Sequence, residues 1–275
     1  NYDLINTSAS ASEQAENAAD GVKNPGNNLV TTLDVSLQEA AYNAMGLYEG
    51  AIVVMEPSTG KILAMVSKPD FDPNEIAQEW ENLNQDGSSV LLNRASQGLY
   101  PPGSTFKIIT ALEYIRENPD DWENYRFQCS GSYTHGDTTI RCYHGSSHGS
   151  LDFIHSFAES CNSSFANIGM SLDRRSFLST LDELLFNREL PVDIAYSRSS
   201  VALDEDSGDA DMIQTVIGQG KTQMTPLHLC MITSAIANGG VLMKPYEMDR
   251  IEKPDGTVLK QYEPEEYARL MTAEE

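Results

Sequence analysis

Ser104 and Lys107 stand three residues apart in 100-YPPGSTFKIITALEYI-115. A serine hydroxyl becomes a strong nucleophile when a neighbouring base takes its proton, and a lysine amine is such a base once burial lowers its pKa. Pro101, Pro102 and Gly103 forbid a helix before Ser104. After it, Ile108, Ile109, Leu112 and Ile115 recur at helical spacing. The pattern predicts a helix from about Ser104 to Arg116, with Lys107 one turn on and on the same face as the serine. First-turn N–H groups have no intrahelical acceptor and the helix dipole favours negative charge there, so this end also offers a donor to a developing oxyanion. The Ser-x-x-Lys spacing alone is weak. It recurs as Ser58-Thr59-Gly60-Lys61 in what reads as a plain hairpin turn, and a capping serine followed by a solvated lysine has the same letters.

Other residues bear on chemistry. Ser160-Cys161-Asn162 is the sole Ser-x-Asn of the chain. It falls between two apolar-periodic segments, so it is predicted at an interhelical turn facing a cleft, with ordinary capping of the next helix as the alternative. Gly220-Lys221-Thr222 has the letters of a phosphate-binding loop, but that loop needs a glycine five residues before the Gly-Lys pair, where Thr215 stands. Met212–Ile217 reads as a short strand before it. The acidic stretch 203-LDEDSGDAD-211 has the wrong spacing for a calcium loop and reads as solvated. Cys129, Cys142, His144 and His148 lie close in sequence, yet their order does not match paired zinc-finger spacing. They read as a hairpin, open to a Cys129–Cys142 disulfide, with surface histidines, while Cys161 and Cys230 read as buried thiols in helical patterns.

These groups need a scaffold. With 275 residues, 40% apolar and 21% charged, the chain suits one large domain or two modest ones. Its 41 acidic residues against 18 basic give a net charge of −23, which argues against nucleic acid and polyphosphate ligands. No apolar run reaches membrane-spanning length, and a start at Asn1 suggests a processed chain whose native anchor is gone. Residues 1–28 are poor in large apolar groups and read as a linker or disordered arm. Leu29–Leu33 is predicted as a strand, Asp34 as cap of a helix over Val35–Met45, and 51-AIVVM-55 with 62-ILAMV-66 as a buried hairpin. Residues 70–97 read as a surface excursion. Helical patterns cover about Leu151–Glu159, Ser163–Leu172 and Pro226–Asn238, the last with Thr225 as cap and Gly239-Gly240 as stop.

Together these residues resemble the class B penicillin-binding proteins, in particular a penicillin-binding protein A-like transpeptidase domain. The resemblance runs from about Leu29 to the end through 33-LDVSLQEAA-41, 51-AIVVMEPSTGKILAMVSKPDFDPN-74, 93-NRASQGLYPPGSTFK-107, 148-HGSLD-152, 159-ESCNSSF-165 and 218-GQGKTQMTPL-227, in that order. It implies an α+β, α/β/α sandwich-like fold over residues 29–275, an antiparallel sheet flanked by helices. It also implies a D,D-transpeptidase acting on peptidoglycan stem peptides that end in D-Ala-D-Ala. Ser104 is then the nucleophile and Lys107 its base. Ser160 relays a proton to the departing amine, and Asn162 binds substrate and holds Lys107. Gly218, Gln219 and Gly220 belong to a substrate-side block; Lys221-Thr222-Gln223 is not the family's Lys-Thr-Gly motif. The implied ligands are stem peptides and β-lactams, with the cell-wall synthesis machinery as partner, outside the cytoplasm and tethered by an N-terminal anchor. No metal or organic cofactor is required. The family's Lys-Thr-Gly strand follows the Asn238-Gly239-Gly240 stop at some distance and the chain reaches Glu275 first, so the resemblance implies an incomplete site lacking the C-terminal strands. A β-lactamase or β-lactam sensor, and a non-catalytic scaffold, are the alternative readings of the same residues.

Overall fold

The computed structural model describes residues 11–19 and 26–275. Within the predicted arm, Ala11–Ala19 is a helix, α1; the remainder of residues 1–25 lies outside the described residues. Strand β1 (Asn28–Thr31) leads into α2 (Val35–Ala44), whose cap forms as predicted: the Asp34 carboxylate accepts from the Leu37 N–H at 2.9 Å. The hairpin β2 (Gly50–Met55) and β3 (Ile62–Lys68) pairs antiparallel, with Ile52 opposite Val66 and Val53 opposite Met65. Side chains alternate between faces. Ile52 and Val66 pack with Ala41 of α2 and Met45 just after it, while Val53 and Met65 turn to the main core. The Gln38 amide completes this layer by bonding both the Met65 N–H and C=O at 2.8 Å, as a neighbouring strand would.

The predicted surface excursion contains an exposed helix, α3 (Ile76–Gln85). The main core is built around α4 (Lys107–Glu117). Next come four short strands, β4 (Arg126–Cys129), β5 (Ser132–His135), β6 (Thr138–Arg141) and β7 (Gly149–Asp152), in which β5 pairs β6 and β4 pairs β7. Helices α5 (Phe153–Ala158), α6 (Asn162–Ser171), α7 (Arg174–Glu183) and α8 (Asp209–Val216) form the helical lobe. Thus the strand expected over Met212–Ile217 is a helix. Met212, Ile213 and Val216 all enter the core, a spacing a helix serves and a strand does not. Two contacts fix its place. Gly169 of α6 leaves room for Val216, where a Cβ would come within 2.5 Å of its methyl, and the Thr110 hydroxyl of α4 donates to the Val216 carbonyl at 2.8 Å. The start of α4, the last turn of α6 and the end of α8 thereby meet at Val216.

Helix α9 (Pro226–Ala237) begins as predicted, with Thr225 accepting from the His228 N–H, and packs on β2. Strands β8 (Val241–Met243), β9 (Met248–Glu252), β10 (Val258–Gln261) and β11 (Glu266–Arg269) follow; β9 joins β1 to β10, and β8 pairs β11, all antiparallel. The fold is α+β, with helices on the hairpin and antiparallel pairing between its strands. Among the described residues no helix is long and apolar enough to cross a membrane.

Candidate active site

Ser104 lies not in the α-helix but in a 3-10 turn, Gly103–Phe106, that feeds α4. Side chains three apart eclipse in 3-10 geometry. Lys107 therefore sits directly against Ser104, its Nζ 3.2 Å from the serine Oγ. Gly103 supplies the positive φ (56°) that the turn needs after two prolines, and its N–H donates to the Gly218 carbonyl at 2.8 Å. The serine is exposed while the lysine is 1% exposed.

The Ser-Cys-Asn triplet comes from the α5–α6 connection. Helix α5 ends in a Schellman motif: the Ser160 N–H donates to the Phe157 carbonyl at 2.9 Å and the Cys161 N–H to the Ser156 carbonyl at 3.0 Å. The residue at the left-handed position of this motif is ordinarily glycine; here it is Ser160, φ 49°. Serine holds that conformation at a cost of about 1 kcal/mol and, unlike glycine, brings a hydroxyl to the turn. Cys161 then caps α6, its sulfur accepting from the Ser164 N–H, and Asn162 opens the helix.

Lys107 Nζ joins all of these. It donates to the Ser160 carbonyl at 2.6 Å, to Asn162 Oδ1 at 2.7 Å and to Ser160 Oγ at 3.0 Å, besides its contact with Ser104. Asn162 is held in turn by donating to the Arg141 carbonyl of β6 at 3.1 Å. Burial brings the Lys107 ammonium down to about 8, with the Cys161 and Cys142 thiols pulling the other way. A lysine poised near neutrality against a serine hydroxyl is an activated-nucleophile pair. The exposed face opens on a cleft of about 540 Å³ lined by Ser104, Ser160, Asn162, Tyr143, His148 and Gln219.

The structure thus brings Ser104, Lys107, Ser160 and Asn162 together. Of the substrate-side block, Gln219 reaches the cleft, Gly218 lies under the nucleophile turn, and Gly220 is exposed and packs toward Gln214. Lys221 is exposed and the Gly-Lys-Thr letters fall in a turn between α8 and α9, not a phosphate loop. Nothing in the sequence pattern marks Tyr143 and His148 as cleft residues; they sit in the excursion between α4 and α5, whose path the pattern does not give. Cys129 and Cys142 are free thiols with sulfurs 3.7 Å apart, not a disulfide, and His148 is drawn in beside them while His144 is exposed.

Comparison with known proteins identifies the family. Residues 50–275 match the family described as penicillin binding protein transpeptidase domain. The peptidoglycan D,D-transpeptidase PbpA of Mycolicibacterium smegmatis is 31% identical over 266 residues, covering 90% of this chain and 53% of the relative. That of Mycobacterium tuberculosis is 34% identical over 247 residues, covering 84% and 50%. The solved ceftriaxone acyl-enzyme complex of M. tuberculosis penicillin-binding protein A superposes with a TM-score of 0.85 at 28% identity, over 95% of this chain and 62% of that one. The chain spans about half the length of the curated relatives it matches.

Proposed function

Because the chain belongs to the penicillin-binding protein transpeptidase-domain family, we propose that it serves as a class B peptidoglycan D,D-transpeptidase. The observation that carries this is the fourfold engagement of buried Lys107 with Ser104, Ser160 and Asn162. The donor is a stem peptide ending in D-Ala-D-Ala. Lys107, neutral, takes the Ser104 proton as Oγ attacks the carbonyl of the penultimate D-Ala. The Ser104 N–H, in the first turn, donates to the oxyanion. Collapse breaks the peptide bond, and the proton passes through Ser160 to the departing D-Ala amine. An acceptor amine then attacks the acyl-enzyme and restores Ser104. A β-lactam presents a strained amide to the same serine and stays attached. Asn162 fixes Lys107 and offers its amide to the substrate, and Gln219 lines the same cleft. This chemistry belongs outside the cytoplasm, where stem peptides are crosslinked, and fits work beside cell-wall synthesis proteins with tethering through an N-terminal anchor. Residues 29–275 form the domain, with the preceding segment as its connection.

The test uses the full-length protein with a synthetic peptide ending in D-Ala-D-Ala, and release of D-Ala is followed. Release is expected in the wild type and should be lost in Ser104→Ala. Release that survives Ser104→Ala refutes the assignment. Covalent labelling by penicillin without any D-Ala release turns the reading to a β-lactam sensor.

A further inference from the structure

We propose that Cys129, Cys142, His148 and Cys161 form a structural zinc site at the wall of the active-site cleft. The four residues come from separate places: the end of β4, the loop after β6, the residue before β7, and the cap of α6. Their ligand atoms all lie within 4.8 Å of one another. The Cys129 and Cys142 sulfurs are 3.7 Å apart, as are those of Cys142 and Cys161, and Cys129 Sγ is 3.4 Å from His148 Nδ1. Zinc–sulfur bonds of about 2.3 Å and zinc–nitrogen bonds of about 2.0–2.1 Å put tetrahedral edges at roughly 3.8 Å between sulfurs and 3.6 Å between sulfur and nitrogen. The three observed distances are close to tetrahedral edges, and the remaining pairs lie within 4.8 Å. A disulfide would draw one pair to about 2.05 Å and leave the third thiol and the imidazole without a role.

The surroundings suit thiolates. Each sulfur has a hydrogen-bonding neighbour: the Gly131 N–H donates to Cys129, the Ser163 hydroxyl lies 3.1 Å from Cys142, and the Ser164 N–H donates to Cys161. Such outer contacts orient metal ligands and stabilise their charge. The backbone is built for closeness as well. Gly131 (φ 98°) lies where a Cβ would come within 2.7 Å of the Gly145 carbonyl, and its own carbonyl accepts from the Cys142 N–H at 2.9 Å, setting Cys142 beside Cys129. The three cysteines are at most 3% exposed. Three sulfurs and one nitrogen fill a tetrahedral zinc shell and leave no open position, the arrangement of a structural rather than a catalytic ion. Binding displaces the thiol protons to solvent and ties the β4–β7 excursion to Cys161, which lies between Ser160 and Asn162. The ion would hold the Ser-Cys-Asn turn at Lys107 without entering the reaction.

The protein is purified without a histidine tag, in reductant, and its metal content is measured beside Cys142→Ser. One zinc per chain is expected in the wild type, falling to near zero in the variant. Cobalt loading should give the thiolate charge-transfer absorption and intense ligand-field bands of a tetrahedral sulfur site. If Cys142→Ser fails to fold, metal-stripped wild type decides the matter: zinc at 1,000 times its dissociation constant should raise Tm by roughly 10 °C, and magnesium should not. Reduced wild type that carries no zinc, gains no Tm on zinc addition and gives no cobalt absorption overturns the proposal. So does native protein whose cysteines are found joined as a disulfide.

Discussion

Lys107→Met should slow acylation of Ser104 by a β-lactam by roughly 10³-fold, about 4 kcal/mol of barrier. Methionine fills the space of the lysine stem, so the fold should survive and the loss should fall on the chemistry. The amine touches Ser104 Oγ, Ser160 Oγ and Asn162 Oδ1 at once. Its removal deletes the proton acceptor and also unties the two residues that flank it. The wild-type pH profile offers a second readout. Lys107 is brought down to about 8 by burial, against the opposing pull of the Cys161 and Cys142 sulfurs. With the neutral amine as the proposed base, acylation should rise as pH passes up through about 8, and Lys107→Met should lack that step. Stopped-flow acylation rates across pH check both parts. A variant within tenfold of wild type, or a flat wild-type profile, contradicts Lys107 as base.

Gly218→Ala should cost at least 10²-fold in acylation and roughly 2–5 kcal/mol in stability, although residue 218 need not touch substrate. Its φ is +70°, and an added Cβ would come within 2.1 Å of the Gly103 carbonyl oxygen, 2.8 Å of the Gly103 nitrogen and 2.7 Å of Phe106 Cβ. None of these is a flexible side-chain end. Relief requires moving the very turn that presents Ser104. Gly220→Ala is the matched control: φ is +67°, but the nearest atom is Gln214 Cβ at 3.1 Å. It should show the backbone strain, about 1–2 kcal/mol, with acylation retained. Thermal unfolding and acylation rates of the pair check this. Equal behaviour of the two variants would mean that the 218–103 contact does not position the nucleophile.

Much of the scaffold was readable because its signals are local. Asp34 and Thr225 cap the helices they precede, and the Pro101-Pro102-Gly103 block stops any α-helix before Ser104. Ser104 and Lys107 were legible from spacing, but the 3-10 turn was not, since a three-residue offset serves both helix types. The helix over Asp209–Val216 reads in sequence as acidic loop followed by strand. Its leading acids suit a helix N-terminus, yet its reason to be helical is tertiary, the room that Gly169 leaves for Val216. The cysteine cluster was half legible. Cys129 and Cys142 bracket a hairpin in sequence, but Cys161 reads as a core residue of a helix, and only the folded β4–β7 excursion brings it and His148 to the same point. The backbone role of Ser160 is not legible, because left-handed φ at a serine leaves no mark in the letters.

The central claim is that Ser104 is an activated nucleophile. Its most direct test is intact-protein mass spectrometry of the full-length protein after benzylpenicillin, beside Ser104→Ala. The account predicts one adduct of the whole drug's mass, mapped to the peptide bearing Ser104 and absent in the variant. A folded wild type that takes up no drug, or an adduct that persists in Ser104→Ala, would contradict it.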